Sequence, residues 1–327
     1  MSAAIASPAP LADEILSGDS RALARAMTLV ENGAPEAEAL LDAVFGKRAP
    51  APRIGFTGPP GAGKSTLVAE YLRLLRADDA AVRVGVVAVD PTSPFTGGAI
   101  LGDRVRMSEH ATDANVFIRS MATRGSLGGL AARTAELCEL LDAWGSRRTL
   151  VETVGVGQSE LDVAEAADTT VVVLTPESGD AIQTLKAGLM EIADVLVLNK
   201  ADHAGADQMD AALRSSLAFR PQGGFKTPIV RTIATQGKGI RELHDAVEAH
   251  RAWAAEPAIA ETRRREKVRA RIRSAVRGGI LDTWLARKGL EEQLDRATDS
   301  VLGGNVSPYR AAHDLIERMT RHGERAN

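Results

Sequence analysis

Nine residues, GPPGAGKST at 58–66, have the types and spacing to hold a chain of phosphates. They match G-x-x-x-x-G-K-[ST] in full, after an apolar run (RIGFTG, 53–58) and before a helical pattern (TLVAEYLRLL). That setting confirms the motif. Gly58, Gly61 and Gly63 allow a tight loop that aims backbone N–H groups at phosphate oxygens. Pro59, Pro60 and Ala62 fill the loop between them. The helix that opens after Gly63 adds a favourable partial charge. Lys64 is a point charge for β- and γ-phosphates, Ser65 offers a hydroxyl to magnesium, and Thr66 ends the motif. A glycine-rich structural turn is the alternative, and it does not explain the whole motif in this place.

A second stretch reads a base. LVLNKADH (196–203) ends an apolar run in Asn-Lys-x-Asp. A carboxylate at Asp202 accepts from both guanine donors, the ring N–H and the exocyclic amine, and adenine offers neither there. Asn199 can bond the base edge, and the aliphatic stem of Lys200 can cover the ring. In RTIATQGKGI (231–240), the N–H groups of Ile233, Ala234 and Thr235 are placed to meet the guanine oxygen. A polar loop after a buried strand is the bland alternative. The tetrapeptide is weak alone and strong in a protein that already has a phosphate loop. GTP and GDP are the expected ligands.

Acids recur where strands are expected to end: Asp90 in VAVDPTSP, Asp103 in LGDRVRM and Glu152 in LVETVGVGQSE. Magnesium keeps several waters and takes one or two carboxylates besides phosphate oxygens. Three acids around one ion, with Ser65, are therefore a mixture of direct, water-mediated and nucleophile-positioning groups. Each acid alone could be a helix cap or a surface acid. Gly155 and Gly157 let the loop after Glu152 change shape cheaply, which suits ordering by a γ-phosphate. Lys186, in ESGDAIQTLKAG (177–188), either reaches an acid of the site or is a solvated helix lysine.

The elements that must position these groups follow from periodicity. Seven short apolar runs, at 53–58, 83–90, 116–121, 149–153, 169–176, 194–200 and 228–234, alternate with helical patterns. Several lack polar alternation, as parallel strands covered on both faces do. The expected fold is α/β, with a mainly parallel central sheet over 51–252. Residues 1–50 read as a helical extension, broken at SGDS (17–20) and NGAP (32–35). Residues 253–327 read as helical, with a break at Gly278–Gly279 and a last helix in 305–319 capped by Ser307. The chain has 327 residues, 44% of them hydrophobic, which is ordinary for a globular protein. A net charge of -3 gives no electrostatic case for nucleic acid or a membrane. The arginine-rich run 263–273 reads as a solvated helix face beside a dimer seam. No run reaches the roughly 18–20 apolar residues of a membrane span. One cysteine, Cys138, excludes an internal disulfide and points to the cytoplasm.

At these residues the chain resembles the MeaB/ArgK family of P-loop GTPases. The likeness runs through GDSRALARAMTLVE (18–31), GFTGPPGAGKSTLV (55–68), VAVDPTSPFTGGAILGDRVRM (87–107), RSMATRGSLGGLA (119–131), VETVGVGQSE (151–160), NKAD (199–202) and GGNVSPYRAAHDLIERM (303–319). The resemblance implies a homodimeric, magnesium-dependent GTPase with an N-terminal helical extension and a C-terminal helical dimerisation arm. It implies a chaperone for adenosylcobalamin-dependent methylmalonyl-CoA mutase, or a related acyl-CoA mutase, that gates cofactor loading and protects or restores the mutase. It places Gly58 to Thr66 on the phosphates and Asn199, Lys200 and Asp202 on the base. Asp90, Asp103 and Glu152 become the metal and switch acids, with Lys186 in a further switch segment. Two departures stand out. GSRRTLVET precedes the loop with fewer apolar residues than the family uses, so a strand short or frayed at its start is expected. TPESGD (175–180) replaces a more usual Pro-Gly-x-Gly-Asp. No arginine finger is recognisable, so hydrolysis is expected to be slow alone and faster with the mutase. Two alternatives are nickel delivery, which needs cysteine or histidine ligands that Cys138 and six scattered histidines do not supply, and a transport-linked kinase.

Overall fold

The computed structural model describes residues 8–90, 110, 112–122, 129–153, 166–177, 188–220, 224–285, 290–302, 306 and 310. Three helices come first: α1 (Pro8–Ser17), α2 (Ser20–Glu31) and α3 (Glu36–Val44). Asp19 caps α2 by accepting from the N–H groups of Arg21 at 2.6 Å and Ala22 at 2.9 Å. Those two backbone bonds, Ala22's first, hold its carboxyl below the usual range.

Strand β1 (Arg53–Thr57) leads into α4 (Lys64–Asp78). Then come β2 (Val84–Asp90), β3 (Val116–Ala122), α5 (Gly129–Trp144), β4 (Arg148–Thr153), β5 (Thr169–Leu174), α6 (Leu189–Ile192) and β6 (Val195–Leu198). The order ends with α7 (Ala206–Leu217), β7 (Ile229–Arg231), α8 (Ile240–Ala254), α9 (Pro257–Leu285) and α10 (Leu290–Leu302). The seven strands form one sheet in the order β3-β2-β4-β1-β5-β6-β7, and every pairing is parallel. Every apolar run of the sequence analysis has become a strand.

Both faces of the sheet are covered. Val87, Val89 and Val151 pack with α1, α2, α3 and α5. Val86, Leu150, Val171 and Val173 pack with α4 and α8 on the other face. Along β5 the alternate residues Val172 and Leu174 join α7 in a third cluster. Cys138 is buried in α5, within the first of these clusters.

Two expectations fail. β4 is not frayed: it starts at Arg148, in register with Val84, and Thr149 pairs with Gly85 and Arg53. Flanking strands on both sides outweigh its polar start. Helix α9 runs unbroken through Gly278 and Gly279. Each glycine costs about 1 kcal/mol against alanine, too little to stop a long helix. The chain divides into two compact units, residues 1–274 and 275–327. Asp103, Lys186 and Ser307 lie outside the described residues.

Part of the basic run docks instead of facing water. Arg263 donates to Asp168 O at 2.9 Å, and Lys267 donates to Ala167 O at 2.7 Å and pairs with the Asp168 carboxylate. Deeper in the same unit, Arg53 and Asp142 form a buried ion pair at 3.0 Å, and Asp142 also accepts from Ala51 N–H at 2.8 Å. Asp142→Ala strands the guanidinium away from water. We expect it to remove about 3–5 kcal/mol of unfolding free energy in urea titration. An unchanged midpoint and slope would contradict that.

Candidate functional site

The phosphate loop follows β1, a strand buried along its whole length. Gly58 has a φ of 138°, and a Cβ there would stand 2.1 Å from the backbone oxygen of Val173. Gly63 has a φ of 86°, and a Cβ there would stand 2.4 Å from Asn199 Nδ2. Neither position accepts another residue. Helix α4 opens at Lys64, whose Nζ donates to Gly58 O at 2.7 Å and Pro59 O at 3.0 Å. The loop's own carbonyls therefore hold the ammonium inside it.

Ser65, the next residue, donates its hydroxyl to Glu152 Oε1 at 2.6 Å. That length lies in the ordinary range for an O–H···O bond. Glu152 is 1% exposed near the end of β4, flanked by Ala88 of β2 and Phe56 of β1. Thr153, one residue on, donates to Thr57 Oγ1 at 3.2 Å. Asp90 ends β2, two residues beyond the Ala88 that pairs with Glu152.

On the other flank Asn199 follows β6. Its Nδ2 donates to Ala62 O at 2.8 Å. Its Oδ1 accepts from Thr232 Oγ1 at 3.0 Å and from Ala234 N–H at 3.1 Å. The sequence put this side chain on the base edge; in the fold it ties the phosphate loop to the loop after β7. Ile233 N–H donates to Lys238 O at 3.1 Å, and Ala234 opens a short 3-10 turn that includes Thr235. Lys200 has a φ of 55°, in the left-handed region. Asp202 is exposed in the turn that follows.

Many of these groups face one cavity of about 460 Å³, the scale of a small-molecule site. Pro60, Gly61, Gly63, Lys64, Ser65 and Thr66 line it from the loop, and Glu152 lines it from β4. Asn199, Lys200, Asp202 and Ile233 to Thr235 line the other end. Gly58, Pro59 and Ala62 belong to the loop but do not line the cavity. Two participants escaped sequence reading: His203, which lines the cavity, and Glu177, which bonds to it and to Lys200. The one signal was a glutamate in TPESGD where the family pattern has glycine. Among the described residues no cluster of three or more His, Cys, Asp or Glu could hold a metal, and no helix is long and apolar enough to cross a membrane.

Asn199→Ala would leave three buried polar groups without their partner. We expect a loss of about 2–3 kcal/mol in urea unfolding. Stability equal to wild type would show that the tie carries no energy.

The family model described as methylmalonyl-CoA mutase-associated GTPase MeaB matches residues 23–288. A Pyrococcus abyssi protein that bears the name of a GTPase is 43% identical over 320 residues, 96% of this chain and 97% of its own. The mouse mitochondrial methylmalonic aciduria type A homolog is 35% identical over 278 residues, 83% of this chain and 66% of its own. The crystal structure of a LAO/AO transport system kinase superposes with a TM-score of 0.70 at 27% identity, covering 98% of this chain and all of that one. Fold, phosphate loop and family match agree: the chain belongs to the MeaB family of P-loop GTPases.

Proposed function

We propose that the protein hydrolyses GTP as a homodimeric chaperone of adenosylcobalamin-dependent methylmalonyl-CoA mutase or a related acyl-CoA mutase. In this reading it gates cofactor loading and protects or restores the mutase. The observation that carries it is the single cavity in which a full phosphate loop, the Ser65–Glu152 bond and the Asn-Lys-x-Asp turn meet. The family description, which names a mutase-associated GTPase, supports the partner.

Each side chain then has a task. Lys64 leaves the Gly58 and Pro59 carbonyls for the β- and γ-phosphates. Asp202 accepts the two guanine donors, and the stem of Lys200 covers the ring. Thr235 N–H, inside the 3-10 turn, is the donor for the guanine oxygen, because Ile233 and Ala234 N–H are used internally. Two hard oxygen donors 2.6 Å apart, Ser65 and Glu152, suit magnesium. Ser65 would hold the ion with its lone pairs while its hydroxyl still donates to Glu152, and Asp90 and Asp103 are the further acids. When bound, magnesium would supply positive charge that offsets the negative charge of the phosphates. Glu152, with Lys186 in its segment, links the phosphate end to the loops at 90–106, 152–160 and 177–188. Those loops present different contacts to the mutase in the two nucleotide states. Val268 and Ile272, 47% and 60% exposed and four residues apart on α9, support an apolar dimer seam. The cytoplasm fits this partner.

A second reading follows from the name of the transport system kinase with the similar fold. Labelled γ-phosphate recovered on a protein or amino acid would favour it; release as free phosphate favours hydrolysis.

Lys64→Ala is expected to weaken GTP binding about tenfold or more. Glu152→Gln is expected to slow hydrolysis about tenfold or more while GDP binding changes little. Equal loss of both in that variant would argue against a switch role. Added mutase is expected to raise GTP turnover about tenfold or more, and turnover indifferent to it would sink the chaperone reading.

A further inference from the structure

Two side chains of the base loop converge on one carboxylate from another strand. Glu177 lies three residues after β5, and its Oε2 accepts from Lys200 Nζ at 3.2 Å. Its Oε1 is hydrogen-bonded to His203 Nδ1. Lys200 and His203 are the two ends of one turn, closed by His203 N–H donating to Lys200 O at 2.9 Å. Asp202 sits between them.

The turn needs holding. Lys200 has a φ of 55°, a conformation that disfavours any residue with a side chain. On the β7 side, Ala201 N–H donates to Thr232 O at 3.0 Å. On the β5 side, the Glu177 carboxylate grips both corner side chains. Pro176 brings the β5 loop alongside, 3.9 Å from where a Cβ on Gly205 would lie. The bonds from His203 and then Lys200 keep the Glu177 carboxyl below the usual carboxylate range, so it is ionised at neutral pH.

We propose that Glu177 is a positioning residue for base recognition, which fixes the 200–203 turn from both ends and so sets where Asp202 meets the guanine edge. The inference rests on the guanine reading of this cavity and deepens it. Glu177 is not among the residues that line the cavity; it acts through Lys200 and His203, which are. A residue that merely stabilised the fold would move affinity for every nucleotide alike. A residue that aims Asp202 changes how well one guanine donor is told from two.

Inosine diphosphate makes that distinction, because it keeps the ring N–H and lacks the exocyclic amine. The full chain and its Glu177→Ala and Glu177→Gln variants are titrated with GDP, IDP and ADP. In Glu177→Ala, GDP binding is expected to loosen about three- to tenfold and IDP binding less, so that the preference for GDP over IDP shrinks. Glu177→Gln, whose one carbonyl oxygen still accepts from one corner, is expected to fall between alanine and wild type. GDP affinity within about twofold of wild type in Glu177→Ala, or equal losses for GDP and IDP, would overturn the proposal. A wild-type protein that binds ADP as well as GDP would instead overturn the guanine reading itself.

Discussion

The carboxamide of Asn199 sets the dimensions of the site. It leaves the end of β6 and reaches past β5 to the loop that follows β1, because β5 lies between those two strands. One end holds Ala62 O, and the other holds Thr232 and Ala234. The loop after β1 and the loop after β7 are therefore tied at a fixed spacing. Gly63 exists as glycine to let that side chain pass. At 3% exposure, the group gains from a fully satisfied network and would lose heavily if one partner were missing.

The Ser65–Glu152 bond does the corresponding work on the opposite flank. Asn199 secures the end of the phosphate loop from the β6 side, and Glu152 secures the first turn of α4 from the β4 side. Both anchors come from the carboxyl ends of parallel strands buried on both faces. Parallel pairing puts all those ends on one edge of the sheet, where open α/β folds bind ligands. The N-terminal helices extend the core of the β2 and β4 face, so the strand that carries Glu152 is buried much as the strand that leads into the loop is.

Local pattern made the elements legible. β1, β5 and β6 show as apolar runs because both faces are covered, and GPPGAGKST shows because its glycines obey a backbone rule. Pairings across the chain were not legible. Nothing near residue 199 says that its amide will meet Ala62, 137 residues away. Glu177 and His203 are 26 residues apart, and periodicity carries no signal for such a bond. The Gly-Gly pair in α9 misled for the opposite reason. It is a strong local signal with a small energy, and a 29-residue helix absorbs it.

The central claim is that one cavity reads both guanine and the phosphates. Calorimetric titration of the full chain with GDP, then with guanosine and with ADP, in the presence of magnesium, tests it most directly. The account predicts one GDP per chain, and binding weaker by about a hundredfold or more both when the phosphates are removed and when adenine replaces guanine. Equal affinity for GDP and ADP, or for GDP and guanosine, would contradict it.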